Sequence, residues 1–231
     1  MGSYMLYYVT GIIMVPVIIF ALICQINVKN TFNKYSRVRS ARGMTGAQAA
    51  ESLLRANGIT DVKIQRVAGN LTDHYNPTTK TINLSEGVYN STSIAAIGVA
   101  CHEAGHACQH AQGYVPLKLR NIAIPATRIG STLGIPLAVI GMFLSFEPLI
   151  LVGIVLYSLV ALFQLLTLPV EFNASSRALK TIDQYGYLSG TEYAGAKKVL
   201  TAAALTYVAA LVSALATLLR LLLIYNRNNN R

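Results

Sequence analysis

Four stretches of this 231-residue chain run almost without charge: 1–28, 122–146, 148–168 and 199–225. A fold must bury such runs or place them in lipid, and each is long enough to cross a hydrocarbon core about 30 Å thick at about 1.5 Å per residue. A chain that is 53% hydrophobic and only 12% charged has too little polar surface to keep all four in water. The expected class is a mainly α membrane protein with about four transmembrane helices, joined to a small α+β domain.

The first run exceeds a signal-peptide core and is followed by no small-residue cleavage site. About 7–26 is read as the spanning part, with Pro16 tolerated as membrane helices allow. Lys29, Lys34, Arg37, Arg39 and Arg42 follow it with no acidic residue among them. By the positive-inside tendency that cluster places the N-terminus outside and the next segment in the cytoplasm. The net charge of +10 is therefore assigned to the membrane surface, and no nucleic-acid partner is expected. Cys24, Cys101 and Cys108 form no CxxC pair and no disulfide framework, as in a reducing compartment.

The expected segments are a membrane helix over 1–28, a cytoplasmic domain over 29–120, a membrane hairpin over 121–168, a helical segment over 169–198, and a last membrane helix with its tail over 199–231. Within the cytoplasmic domain, 45–57 (TGAQAAESLLRAN) reads as a capped helix stopped by Gly58. Residues 62–67 and 81–84 alternate like strands around the turn Asn76-Pro77-Thr78-Thr79. Ser91 or Ser93 caps a helix running to about Gln112, and Glu147-Pro148 turns the hairpin. Arg220 interrupts the last run, and the NRNNNR tail reads as disordered.

The chemistry is carried by His102-Glu103-Ala104-Gly105-His106. Residues four apart share a helix face, so both histidines can ligate one zinc ion, with Glu103 beside them as general base. A catalytic zinc takes three protein ligands and keeps one position open. His110 lies on the same face but about 12 Å further along the axis from His102, and no glycine turn corrects that height. His74, in a strand-turn context, fits a substrate-side or structural role better than ligation. Glu171 is the stronger third ligand: it stands where the hairpin returns, and Pro169 can open a helix that presents it in its first turn. On spacing alone, an interfacial carboxylate at the membrane edge explains Glu171 equally well. Arg177 and His74 are the candidates for steadying the oxyanion, and Arg177 suits a headgroup contact or salt bridge equally.

The segments CHEAGHACQHAQGY, LTDHYNPTTKTINLS, TGAQAAESLLRANGI and LPVEFNASSRAL together resemble the bacterial neutral zinc metallopeptidase family of membrane proteins, the YugP type. More distantly they resemble the membrane-bound heat-shock protease and CAAX prenyl endopeptidase group, which also sets a membrane hairpin between HExxH and the Glu-bearing helix. The likeness implies a gluzincin site, with His102, His106 and Glu171 on one zinc ion and Glu103 as general base. It also implies that substrate docks as an extra strand, for which 81–84 is the expected edge. One departure stands out: the distant relatives carry an acidic residue four after the ligand glutamate, and this chain has Ser175, with Asn173 as another candidate for orienting a histidine.

The expectation is a zinc-dependent metalloendopeptidase of the bacterial cell membrane. It would be multi-pass, act on protein or peptide substrates by a zinc-activated water, and face the cytoplasm. Its rivals are a site-2-type intramembrane protease and a non-catalytic membrane adaptor with a structural zinc.

Overall fold

The structure is a computed structural model that describes the backbone of residues 3–229 and the side chains of 11–226. Seven helices and one small sheet among the described residues follow in the order α1 (Ser3–Tyr35), α2 (Gly46–Ala56), β1 (Lys63–Val67), β2 (His74–Asn76), β3 (Thr81–Ser85), α3 (Glu86–Tyr89), α4 (Ile94–Ala111), α5 (Val115–Leu144), α6 (Glu147–Gln184) and α7 (Gly190–Asn229). Among the described residues, four helices are long and apolar enough to cross a membrane: Gly11–Tyr35, Val115–Leu144, Glu147–Gln184 and Gly190–Asn226. The chain is thus a mainly α membrane protein with one three-stranded sheet and an isolated bridge between Arg39 and Ser93 among those residues.

Two compact units divide it. The first comprises Met1–Cys24, Leu119–Leu168 and Thr206–Arg231. Here α5 and α6 form the hairpin, and small residues let their backbones meet. A Cβ added at Gly134 would lie 2.9 Å from Tyr157 N, and one at Gly153 would lie 2.5 Å from Ala138 N. Lipid tails compete fully with apolar side chains, so close backbone packing of small residues is what holds such a pair together. Ala138, Ile150, Ile154 and Leu221 form the buried cluster of this unit. On α1, apolar side chains from Ile12 to Ile26 stay mostly exposed, as a lipid-facing helix requires.

The second unit comprises Gln25–Lys118 and Pro169–Leu205. Its α2 is closed by a capping box in which Gln48 N donates to Thr45 Oγ1 and Thr45 N donates to Gln48 Oε1. Ser93 caps α4 by accepting from Ala96 N at 3.2 Å. Helix α4 is buried nearly all round, at Ile97, Ala100, Cys101 and Ala104 among others, and is the centre of the unit's core.

Several expectations are corrected. The strand order is β1-β3-β2, so Thr81–Ser85 is the central strand and not an edge. The partner that turns back at Asn76-Pro77-Thr78-Thr79 is the short β2, antiparallel to β3, while β1 runs parallel to it. Both faces of β3 are covered, which is why its burial is nearly continuous. Helix α6 is continuous from Glu147, with Pro169 inside it, so Glu171 stands in its middle and not in a first turn. An internal proline forfeits one backbone hydrogen bond, a loss that membrane helices absorb. The hairpin turns at Ser145-Phe146, where Ser145 adopts φ +51° and Phe146 N donates to Gly141 O; Glu147 and Pro148 open α6. Helix α1 continues beyond Ile26 to Tyr35, because nothing between them breaks it. Helix α7 continues through Arg220 to Asn229, so the tail is helical that far. Met1, Gly2, Asn230 and Arg231 lie outside the described residues.

Candidate metal centre

The two histidines of the motif occupy one face of α4, as four-residue spacing requires, with ring centroids 4.7 Å apart. Glu171, more than sixty residues away in sequence but in the same unit, meets them from α6. Its Oε2 lies 3.3 Å from His102 Nε2 and 3.6 Å from His106 Nε2. Among the described residues this is the one group of three or more His, Cys, Asp or Glu side chains placed to hold a metal ion, with ligand atoms all within 4.8 Å of one another. The expected trio is therefore brought together, and Glu171 is buried to 2% exposure where an interfacial carboxylate would face outward.

Close approach of the two helices makes the meeting possible. A Cβ at Gly105 would lie 2.6 Å from the carbonyl oxygen of Ala174, well inside contact distance. The variable pair inside the motif, Ala104-Gly105, thus contains a position where α6 admits no side chain.

The other ring nitrogens are committed elsewhere. His106 Nδ1 lies 3.0 Å from Gln109 Oε1. The amide nitrogen of Gln109 donates to Val170 O at 2.8 Å and to Asn173 Oδ1 at 3.0 Å. Both acceptors require the NH₂ end of Gln109 on their side, which leaves its oxygen facing His106. Nδ1 of His106 must then carry the proton, and Nε2 keeps its lone pair toward Glu171. Asn173 Oδ1 also accepts from Arg177 Nε at 2.7 Å, and Arg177 Nη1 donates to Gln112 Oε1 at 2.5 Å. His102 Nδ1 lies 3.0 Å from Ser175 Oγ, a hydroxyl able to accept its proton.

The remaining candidates fall as follows. Glu103 is buried at 8% exposure beside the trio. Burial disfavours a charged His106, yet the hydrogen bond that the charged ring donates to Glu171 and the charges of Glu103 and Glu171 outweigh it and raise its pKa above the ordinary imidazole value. The site is electrostatically arranged for positive charge. His110 pairs with Tyr75 Oη at 2.7 Å and so ties α4 to β2. His74 is exposed on β2, its Nδ1 2.8 Å from Thr72 O and its Nε2 3.2 Å from Asn83 Nδ2. Gln109 was not foreseen from the sequence; the signal for it is its place three residues after the second histidine, one turn along the ligand face.

The family described as "Putative neutral zinc metallopeptidase" matches residues 10–226. The chain belongs to that family. It is 48% identical over 201 residues to the "Putative membrane protease YugP" of Bacillus subtilis (strain 168), covering 87% of this chain and 89% of that protein. No solved structure matches it.

Family membership implies zinc, and the donor set of this chain fits it. Two neutral imidazoles and one carboxylate are a known catalytic zinc set. Ligands at about 2.0–2.1 Å in a tetrahedron stand roughly 3.3 Å apart, against the 3.3 and 3.6 Å found from Glu171 to the two imidazoles. The carboxylate is thus spaced from each imidazole as one ion requires, and all three ligand atoms lie within 4.8 Å of one another.

Proposed function

We propose that this protein is a membrane-anchored zinc metalloendopeptidase of the gluzincin kind, in which His102, His106 and Glu171 hold one zinc ion and Glu103 is the general base. The observation that carries the reading is the convergence of both Nε2 atoms on the Glu171 carboxylate while both Nδ1 atoms are engaged by Ser175 and Gln109. Zinc bound there supplies Lewis acidity, lowering the pKa of water toward about 7 and polarising the scissile carbonyl. Glu103 accepts a proton from water as the oxygen adds to the carbonyl carbon. It returns that proton to the amide nitrogen as the C–N bond breaks, so the carboxylate is regenerated.

The substrate is a protein or peptide segment in extended form. With β3 central, β1 and β2 are both edges, and β2 is taken as the docking edge because Tyr75 ties it to α4, the helix that carries the motif. His74 lies on that strand and is the stronger oxyanion donor of the two candidates, since Arg177 already spends Nε and Nη1 on Asn173 and Gln112. The site faces the cytoplasm in this reading, which the basic cluster after the first span supports.

The intramembrane rival is disfavoured because α4, which carries HExxH, is not among the helices apolar enough to span. The structural-zinc rival is disfavoured because such sites use four protein ligands, whereas three donors gather here among the described residues.

Glu103→Gln in full-length protein is expected to keep one zinc per chain and to lose casein cleavage by about 10²-fold or more. Cleavage by that variant at the wild-type rate would overturn the assignment of the base.

A further inference from the structure

A second pocket, unrelated to the metal centre, lies where α1 and α7 run side by side within the second unit. It encloses about 530 Å³ and includes Thr31, Lys34 and Tyr35 on α1 and Lys197, Lys198 and Leu205 on α7. Three lysines line it, one of them with its ammonium 5.6 Å from the centroid of the Tyr35 ring, and no Asp or Glu does. The α1 residues are spaced three and four apart, and Lys197, Lys198 and Leu205 are spaced seven and eight apart, so each set shares one helix face. The volume suits a small polar group with an apolar attachment.

The same helices say what kind of group. On α1 the apolar run ends at Val28, one turn before Thr31, and on α7 it begins at Val199, directly after Lys198. Both runs belong to spans that are apolar enough to cross a membrane. The pocket therefore combines lysines at the polar ends of two spans with Leu205, about 10 Å further along α7 in the direction of its span. Lysine stems lie along apolar surface while their ammonium groups seek water or phosphate, and Tyr35 adds the amphipathic ring common at this depth.

We propose that this pocket binds the headgroup of an anionic phospholipid, its phosphate held by Lys34, Lys197 and Lys198 and the start of its acyl chains laid along Leu205. A soluble acidic ligand would need no apolar wall continuing into the spans, and a zwitterionic lipid would leave the lysine charge unbalanced. The lipid ties the first and last spanning helices together at the membrane surface.

The test uses the full-length protein in mild detergent, offered equal parts phosphatidylglycerol and phosphatidylcholine, with bound lipid counted by native mass spectrometry. Wild type is expected to retain phosphatidylglycerol selectively. Lys34→Gln, Lys197→Gln and Lys198→Gln should each weaken its retention about fivefold, and the triple Lys→Arg variant should keep it. A control at exposed basic positions outside the pocket, Arg55→Gln with Lys63→Gln, should change nothing. Equal retention of the two lipids by wild type would overturn the proposal. So would unchanged phosphatidylglycerol retention in the Lys→Gln variants, or displacement of the lipid by millimolar glycerol 3-phosphate alone, which would make the ligand a free phosphate.

Discussion

At the scale of single residues, the metal centre depends on which nitrogen each imidazole presents. Gln109 settles this for His106 through an amide whose other end is held by Val170 O and Asn173 Oδ1. Ser175 does the same for His102 with one hydroxyl. Losing such a partner typically weakens metal binding about 10–100-fold. Chelator competition on Gln109→Leu and Ser175→Ala should show losses of that order, whereas Ser175→Asp, supplying the carboxylate that the distant relatives carry, should bind at least as tightly as wild type. The histidines and Glu103 were legible in the sequence because they lie within five residues on one helix. Gln109 was not, because its meaning depends on acceptors at Val170 and Asn173, more than sixty residues away.

At the scale of elements, the site exists because α4 and α6 come close enough at Gly105 for Glu171 to reach both histidines. Adding a Cβ there sets it 2.6 Å from Ala174 O, a backbone atom that cannot step aside. Gly105→Ala should therefore cost about 1–3 kcal/mol and lower the zinc content of the purified protein. Gly98→Ala on the same helix is the matched control: its Cβ meets Ala196 Cβ at 3.6 Å, an ordinary contact. It should leave zinc content and thermal midpoint unchanged or slightly improved, since alanine favours helix over glycine by up to about 1 kcal/mol. Helices with long apolar runs or sound caps, such as α5 and α2, could be read from the sequence. The sheet order could not: β2 is only three residues with Tyr75 alone packed on the core, too short for a pattern to reveal it, and its presence turns β3 from an edge into the centre. Pro169 misled for a related reason, since its preference for a first turn is local and the continuity of α6 is set by the packing along its length.

At the scale of the whole molecule, membrane attachment follows from four spans, but the side on which the catalytic unit lies rests on the basic cluster after the first of them. Part of that cluster also serves the fold, since Arg42 Nη1 donates to Tyr185 O and Gly186 O. A labelling test of sidedness can leave the native cysteines in place, because Cys24, Cys101 and Cys108 are all buried. Burial pushes the Cys101 thiol pKa well up, and pushes Cys108 up to about 11 against the opposing charge of Arg177. Both stay protonated and unreactive near neutral pH. Arg55→Cys, on the exposed face of α2, should then be the one reactive thiol. In sealed, right-side-out cells it should resist a membrane-impermeant maleimide and react only after permeabilisation; reaction in intact cells would place the catalytic unit outside.

The central claim is the composition of the metal centre, and X-ray absorption at the zinc edge of the purified full-length protein tests it most directly. The account predicts one zinc per chain with only nitrogen and oxygen neighbours at about 2.0–2.2 Å, two of them imidazoles, and one oxygen neighbour fewer from protein in Glu171→Ala. A sulfur neighbour at about 2.3 Å, bringing Cys101 or Cys108 into the shell, or an unchanged shell in Glu171→Ala, would contradict it.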